Sequence, residues 1–270
     1  MLLVAATPIG NLDDHSPRLI EALRSADLIV AEDTRTTGQL MRLLGVDTPA
    51  VIMALHEHNE LDVTEKVLSE AVRGQVVLVS DAGMPGLSDP GFPIVRAAHA
   101  KAIPVSVLPG PSAITAALAV SGMPTDRFCF EGFIPKKGRD EFFRQRAGER
   151  RTLVFFESPH RLHRSLLDMA SVFGGDREAT VCRELSKKFE QVTFGTLDEL
   201  AELFSGDVKG EVTLVVRGES GEEVSFDQAV EDLRERVAAG EKPTEAAKAI
   251  SQLTGHSKRD LYRAVLQPDA

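Results

Sequence analysis

Residues 76–91 carry the residue types best suited to holding a small ligand. The apolar run Val76–Val79 suits a strand buried on both faces, and the loop after it contains three glycines, two prolines, two serines and two aspartates. Glycine permits positive φ and close backbone approach, whereas proline stiffens the loop. An ordinary surface turn is the alternative. Because open α/β sheets bind ligands at the carboxyl ends of buried strands, we predict that this loop is the floor of an active site.

Several familiar catalytic motifs are absent from the sequence. It contains no Gly-x-x-x-x-Gly-Lys-[Ser/Thr], no His-Glu-x-x-His and no Gly-x-Ser-x-Gly. The dinucleotide fingerprint needs three glycines after the first strand, and residues 7–10 supply one. Cys129 and Cys182 lack the spacing of a zinc site, and His56 and His58 have no acidic third ligand at good spacing. We therefore expect neither a nicotinamide cofactor nor a metal.

The spacing of apolar residues predicts two α/β domains and a helical tail. Along residues 1–123, short apolar strands alternate with helices, which implies a mostly parallel sheet covered on both faces. Residues 124–218 repeat strands and helices in an order that favours a mixed sheet. A polar linker at 218–225 precedes three helical stripes, so residues 226–270 are expected to form a small helical appendage.

The positive charge is concentrated in one part of the second predicted domain. The formal net charge is −10, yet residues 134–164 hold nine Lys or Arg side chains against four acidic ones. Such a stretch could contact phosphates, and a solvated face explains it equally well. The five candidates for phosphate contact are Lys136, Lys137, Arg139, Arg144 and Arg146. Because the sequence has no signal peptide pattern and no apolar run near the roughly 20 residues of a spanning helix, the expected location is the cytoplasm.

Eight short motifs occur in order along the chain: Thr-Pro-Ile-Gly-Asn-Leu (7–12), Glu-Asp-Thr-Arg (32–35), Ser-Asp-Ala-Gly (80–83), Ser-Asp-Pro-Gly (88–91), Pro-Gly-Pro-Ser-Ala (109–113), Gly-Phe-Ile-Pro (132–135), Phe-Glu-Ser-Pro-His-Arg (156–161) and Arg-Glu-Leu (183–185). Together they closely resemble the ribosomal RNA small subunit methyltransferase I family, which has the tetrapyrrole methylase (class III methyltransferase) fold. The resemblance runs from residue 2 to about residue 217. Residues 254–262 look like the family's helical tail.

The resemblance implies a function and a cofactor site. It implies 2′-O-methylation of a cytidine, cytidine 1402, in the 16S rRNA of the small ribosomal subunit by a cytoplasmic homodimer that uses S-adenosylmethionine. It implies that the cofactor lies between the two domains, against Pro8, Gly10, Asp81, Ala82, Gly83, Ser112 and Ala113. Met84 departs from the threonine that the family usually has, which puts cofactor affinity rather than reaction type in question.

Methyl transfer to a ribose hydroxyl is an in-line displacement, so alignment in a dry cleft should supply most of the rate gain. A general base could increase the rate by a further factor of about 10² to 10⁴. The candidates are Asp33, Glu157 and His160, since each follows a strand at the expected cleft rim. Arg35 would pair with Asp33 or hold a phosphate. Alternatively, the Asp33–Arg35 pair only orders its loop, and Ser-Pro at 158–159 only starts a helix, which would leave Glu157 and His160 without a catalytic role.

Three functions compete at this point. An rRNA methyltransferase is favoured over a methylase of small tetrapyrroles or corrinoids, because a small substrate needs neither the basic stretch nor the helical tail. A non-catalytic RNA-binding or assembly protein is the third, and it would show no cofactor turnover. Because the chain has no Trp and a single Tyr, RNA contact is expected to rely on phosphate charge and shape rather than on aromatic stacking.

Overall fold

The computed structural model describes residues 1–56, 59–219, 225–254 and 256–266 of the 270-residue chain. His58, Gly255, most of the predicted linker at 218–225 and the last four residues lie outside the described residues. The chain divides into two compact units, Met1–Gly218 and a second that begins at Glu219. The first unit contains two five-stranded sheets, which confirms the α/β fold class. The boundary at residue 124 stays a prediction.

The first sheet is parallel throughout. Its strands are β1 (Leu2–Ala5), β2 (Leu28–Ala31), β3 (Val51–Ala54), β4 (Val76–Val79) and β5 (Val105–Leu108), in the order β3-β2-β4-β1-β5. The helices between and after them are α1 (Pro17–Arg24), α2 (Thr34–Leu43), α3 (Glu60–Arg73), α4 (Phe92–Ala100) and α5 (Ala113–Val120). Strands β1, β2 and β4 are buried along their whole length, which explains their uninterrupted apolar sequences.

Successive residues of the central strands serve two different cores. Leu2 and Val4 pack in a cluster that includes Val67 of α3 and Ile94 of α4. Leu3 and Ala5 point to the opposite face and pack with residues of α1 and α2. This division follows from the two-residue period of a strand. Since helices cover both faces, a ligand can reach the central strands only at their ends.

The second sheet is mixed and has helices on one face. Its strands are β6 (Phe128–Phe133), β7 (Thr152–Glu157), β8 (Glu178–Arg183), β9 (Gln191–Thr196) and β10 (Val212–Val216), in the order β6-β7-β10-β8-β9. Only β6 and β7 are parallel neighbours. The covering helices are α6 (Arg139–Arg144), α7 (Leu162–Phe173) and α8 (Leu197–Leu203), and the core between contains Phe143, Phe155 and Leu166.

Helix α5 joins the two sheets. Its sequence, Ala-Ile-Thr-Ala-Ala-Leu-Ala-Val, is apolar on almost every side, which is typical of a helix buried between layers. Ile114, Ala117 and Leu118 pack with Val154, Cys182 and Val215 on the face of the second sheet that lacks its own helices. The start of α5 is therefore held close to both sheets.

The second unit is helical. It contains α9 (Phe226–Ala238), α10 (Pro243–Thr254) and α11 (Lys258–Leu266), which pack around Ala229, Leu233, Ala246, Ile250 and Leu261. In the portions of the chain that the structure covers, none of the helices combines the length and apolar character that crossing a membrane requires.

Candidate active site

A cleft of about 460 Å³ lies between the two sheets. On one side it is lined by the loops that follow β2, β4 and β5, and on the other by the ends of β6 and β7 and the start of β10. The volume is within the range of sites for small organic ligands. The lining residues are Ile9, Glu32, Asp81, Ala82, Gly83, Met84, Leu87, Asp89, Ser112, Ala113, Ile114, Phe133, Phe156, Glu157, Ser158, Pro159, Gly210, Glu211, Val212 and Thr213.

The loop after β4 is fixed to the loop after β1. Thr7 and Gly83 exchange two backbone hydrogen bonds of 2.9 and 3.1 Å, and the buried Thr7 hydroxyl donates to the Ser80 carbonyl oxygen at 3.1 Å. Gly83 has φ +81°, a conformation that residues with a side chain rarely adopt. The backbone next to the cleft is thus held in place before any ligand arrives, as the glycines and prolines of the sequence indicate.

Three carboxylates of the first sheet line the cleft. The Asp81 side chain accepts a hydrogen bond of 3.1 Å from the Asp33 amide, and the Asp81 amide donates at 3.4 Å to Glu32. Burial raises the pKa of Asp81. Burial, followed by the nearby Glu32 charge, raises the pKa of Asp89 to about 6, although Ser80 donates a hydrogen bond to its carboxylate. These groups favour a ligand that brings positive charge or hydroxyl donors.

The amino end of α5 also faces the cleft. Ser112 is the N-cap residue, yet its side chain makes no capping hydrogen bond. The first amides of a helix have no partner within the helix, and they carry a partial positive charge. Ser112 and Ala113 therefore offer hydrogen-bond donors to an anionic ligand group, whereas the three carboxylates offer only acceptors.

Glu157 lies in the cleft wall, but its carboxylate is fully engaged. The side chain is buried, forms an ion pair of 2.6 Å with Arg161 and accepts hydrogen bonds from the Ser158 amide at 2.6 Å and from the Ser165 hydroxyl. These three partners occupy the carboxylate oxygens, so few acceptor sites remain for a ligand. This arrangement stabilises the turn between β7 and α7.

Asp33 and Arg35 lie beside the cleft and are not among its lining residues. Asp33 is the N-cap of α2, and its carboxylate accepts from the Arg35 amide at 2.8 Å and pairs with the Arg35 guanidinium at 2.6 Å. The Arg35 hydrogen bonds lower the pKa of Asp33 to about 2. His160 is exposed and also lies outside the lining. Of the four predicted catalytic residues, the structure brings only Glu157 to the cleft.

The predicted cofactor residues are mostly brought together. Asp81, Ala82, Gly83, Ser112 and Ala113 line one cleft, although they come from two separate parts of the sequence. Pro8 and Gly10 do not line it, and their neighbour Ile9 does. A Cβ atom on Gly10 would lie 2.3 Å from Cγ of Lys187, so Gly10 is needed for packing between loops.

The predicted phosphate-contacting residues fall into two groups. Arg139 pairs with Asp168 at 2.8 Å, Arg144 with Asp140 at 2.7 Å and Arg146 with Glu131 at 2.6 Å. Arg146 also lies over the Phe142 ring, 3.6 Å from its centroid. Lys136 and Lys137 are exposed and form no ion pair within the described ranges. Much of the predicted positive charge is thus neutralised by neighbouring carboxylates.

Sequence reasoning missed several residues that line the cleft. Asp89 and Phe133 belong to the motifs Ser-Asp-Pro-Gly and Gly-Phe-Ile-Pro, so the signal was present but the role was not assigned. Residues 210–213 carry no comparable signal, since only the pairing of β10 brings them to the cleft. Among the described residues, no group of three or more His, Cys, Asp or Glu side chains is placed to hold a metal ion.

Comparison with protein families and relatives points to one group of enzymes. Residues 1–201 match the family described as Tetrapyrrole (Corrin/Porphyrin) Methylases. Proteins named Ribosomal RNA small subunit methyltransferase I are similar along nearly their whole length. The one from Xylella fastidiosa (strain Temecula1) is 43% identical, with 97% of this chain and 97% of its own covered. The one from Mycobacterium tuberculosis (strain CDC 1551) is 43% identical, with 98% of this chain and 94% of its own covered. The one from Pseudomonas aeruginosa is 44% identical, with 98% of this chain and 96% of its own covered.

Solved structures share the fold at low sequence identity. Diphthine synthase superposes with a TM-score of 0.62 at 17% identity, with 80% of this chain and 90% of that chain covered. The methyltransferase CobJ superposes with a TM-score of 0.59 at 20% identity, with 81% of this chain and 94% of that chain covered. At these identities, both likenesses concern the fold alone.

Proposed function

Because this chain belongs to the tetrapyrrole methylase family and, within it, to the ribosomal RNA small subunit methyltransferase I family, we propose that it methylates 16S rRNA with S-adenosylmethionine. The acceptor in this proposal is the ribose 2′-oxygen of a cytidine, cytidine 1402. The observation that carries the proposal is the cleft of about 460 Å³, where the fixed loop after β4 meets the second sheet.

The residues of the cleft fit S-adenosylmethionine. That molecule has an ammonium group, a carboxylate, two ribose hydroxyls and an apolar adenine face. Glu32 and Asp81 would accept from the ammonium and hydroxyl groups, and Ser112 with the first amides of α5 would donate to the carboxylate. Bound there, the cofactor supplies an electrophilic methyl group on a positively charged sulfur.

Pre-organised backbone is the main contribution that we assign to this chain. The Thr7–Gly83 hydrogen bonds fix the loop, and the side chains of Met84, Leu87 and Phe156 provide apolar walls that displace water. A dry, prearranged site lowers the cost of aligning a nucleophile, a methyl group and a leaving sulfur. Met84 therefore occupies its position as an apolar wall residue.

We assign the acceptance of the hydroxyl proton to Asp89. A general base works best when its pKa is near the working pH, and the pKa of Asp89 is raised to about 6. The pKa of Asp33 is lowered to about 2, and Glu157 is held by Arg161, Ser158 and Ser165. Asp89 thus combines access to the cleft with a useful proton affinity.

We further propose that the protein is a homodimer that acts in the cytoplasm, where ribosomal subunits are assembled. Phe92 and Val107 are 63% and 50% exposed and line a shallow groove beside the edge strand β5. Exposed apolar surface of this kind is typical of association sites. Light scattering should give twice the 29.3 kDa chain mass, whereas a monomer that still methylates subunits would refute the dimer.

The proposed function is tested by locating the methyl group. Small ribosomal subunits that lack this modification would be incubated with the protein and S-adenosylmethionine, and the rRNA would be digested and analysed by mass spectrometry. We expect one methyl group on a cytidine ribose. Methylation of a base, or transfer to a corrinoid or tetrapyrrole in a parallel assay without transfer to rRNA, would contradict the proposal. Calorimetry without added metal would measure cofactor binding separately.

A further inference from the structure

The aromatic ring of Phe133 is exposed at the rim of the cleft. Its side chain is 58% exposed, although Phe133 lines the same cleft as the carboxylates of the first sheet. Phe133 contacts Phe156 in an edge-to-face arrangement with ring centroids 5.3 Å apart, and Phe156 contacts Phe130 in the same way at 4.9 Å. The ring is thus supported from one side and open to solvent on another.

An irregularity in β6 places Phe133 on the cleft face. Phe130 pairs with Val154 and Phe133 pairs with Phe156, so three steps along β6 match two steps along β7. Gly132 in this bulge has φ +72°. In a regular strand, three steps would place Phe133 on the opposite face from Phe130, whereas the bulge places both on the same face. The bulge therefore exposes a large apolar ring where an ordinary strand would not.

Two free cationic side chains follow within a few residues. Lys136 and Lys137 are exposed, and the ion pairs of the described residues do not include them, in contrast to Arg139, Arg144 and Arg146. An aromatic ring next to unpaired lysines is the combination that single-stranded nucleic acid uses, because the bases stack and the phosphates need positive charge. Other strongly exposed phenylalanines, Phe92, Phe189 and Phe194, do not line the cleft.

We infer that Phe133 is the ring on which an unpaired RNA base stacks next to the methylation site, while Lys136 and Lys137 contact the flanking phosphates. This inference rests on the proposed function and adds a nucleobase-binding residue to it. Stacking on Phe133 would hold an extruded nucleotide so that its ribose enters the cleft. The ligand is thus an unstacked base of single-stranded RNA, and the contact does not depend on the phosphate charge alone.

A tryptophan probe can test this contact directly, because the chain contains no Trp. We would make Phe133→Trp and, as a matched control, Phe189→Trp, which places the same probe on another exposed ring. The RNA probe is a short single-stranded oligocytidylate, compared with the same oligonucleotide lacking its central base. We expect the oligocytidylate to quench the fluorescence of the Phe133→Trp protein, the abasic oligonucleotide to quench it less, and the control protein to show little change.

Steady-state kinetics gives a second readout. Phe133→Leu should raise the KM for small subunits by about 10- to 100-fold and leave cofactor affinity unchanged, whereas Phe133→Tyr should remain close to wild type. Equal quenching by both oligonucleotides, quenching by S-adenosylmethionine alone, or a Phe133→Leu enzyme with wild-type KM would overturn the inference. Failure of the unaltered protein to methylate rRNA would instead refute the proposed function, so the two failures are distinguishable.

Discussion

The two walls of the cleft use carboxylates in opposite ways. On the first-sheet side, Asp81 and Asp89 face the cleft with raised pKa values, because burial disfavours their charge and few donors compensate. On the second-sheet side, Glu157 is more deeply buried, yet Arg161 and two serines satisfy it. The contrast teaches that a carboxylate beside a cleft is open to a ligand only when its own fold does not already supply its hydrogen-bond partners.

The strongest test of this contrast is Asp89→Asn. Removing the proton acceptor should lower kcat by about 10² to 10⁴. Wild-type kcat/KM should rise with pH through an apparent pKa of about 6 and then level off, since the carboxylate must be unprotonated, and the variant should lack this rise. Asp33→Asn is the matched control, because Asp33 lies outside the lining and its pKa is already about 2.

Thermal unfolding separates a catalytic effect from a folding defect. The folded-state pKa of Asp89 is raised from 3.8 to about 6, so ionisation of this group reduces the stability of the folded protein as the pH rises through that window. Asp89→Asn should therefore be at least as stable as wild type at pH 7. If Asp89→Asn kept the wild-type kcat, or if Asp33→Asn lowered kcat more than Asp89→Asn does, the base would not be Asp89.

Gly83→Val should have the next largest effect, and it concerns the cofactor. The φ of +81° is strained for a β-branched residue, and a Cβ atom would lie 3.4 Å from Cγ2 of Ile9. We expect affinity for S-adenosylmethionine, measured by calorimetry, to fall about 10- to 100-fold. Gly138→Val, at another positive φ but with no atom near its Cβ, is the control. Equal affinity in wild type and Gly83→Val would disprove the assignment of this loop.

Glu157→Gln should affect stability more than cofactor binding. Loss of the charge leaves Arg161 without its partner in a largely buried place, which should lower the unfolding temperature by about 5 to 10 °C. Glu149→Gln is the control: it breaks a more exposed ion pair with Arg151 and should lower the unfolding temperature much less. If Glu157→Gln instead abolished methyl transfer in a protein of unchanged stability, the two walls would not differ as described.

The smallest effect is expected for the double variant Lys136→Gln with Lys137→Gln, and it concerns the affinity for RNA. For every phosphate that the variant no longer neutralises, the slope of log affinity against log salt should fall by roughly 0.7 to 0.9, and cofactor affinity should not change. Lys66→Gln with Lys101→Gln removes the same charge from α3 and the residue after α4 and serves as the control. If the slope of log affinity against log salt did not change in Lys136→Gln with Lys137→Gln, these lysines would not contact RNA and would simply be solvent-exposed.

The sequence predicted the first sheet and its loops well, because both rest on local signals. The apolar strand and the Gly-Pro loop at 76–91 specify a buried strand with a rigid end, and the structure has both. The ion-pair partners of Arg139 and Arg146 have no such local signal, and the contact of residues 136–146 with RNA stays a prediction. Arg139 and Arg146 find Asp168 and Glu131 through tertiary packing, and nothing in local spacing predicts such partners.

The second-sheet side of the cleft shows more clearly that local sequence signals do not predict long-range contacts. Residues 210–213 reach the cleft only because β10 inserts between β7 and β8, which is a long-range pairing. Phe133 reaches it because of one extra residue in β6. The low content of Trp and Tyr predicts little aromatic stacking on RNA, which stays a prediction, and composition alone does not indicate that the ring of Phe133 is exposed.

The position of β10 also bears on how the chain is synthesised. This strand is the last of the first unit, yet it occupies the centre of the second sheet. On the ribosome, the first sheet can close as soon as β5 has emerged, whereas β7 and β8 must wait for their shared neighbour with open edges.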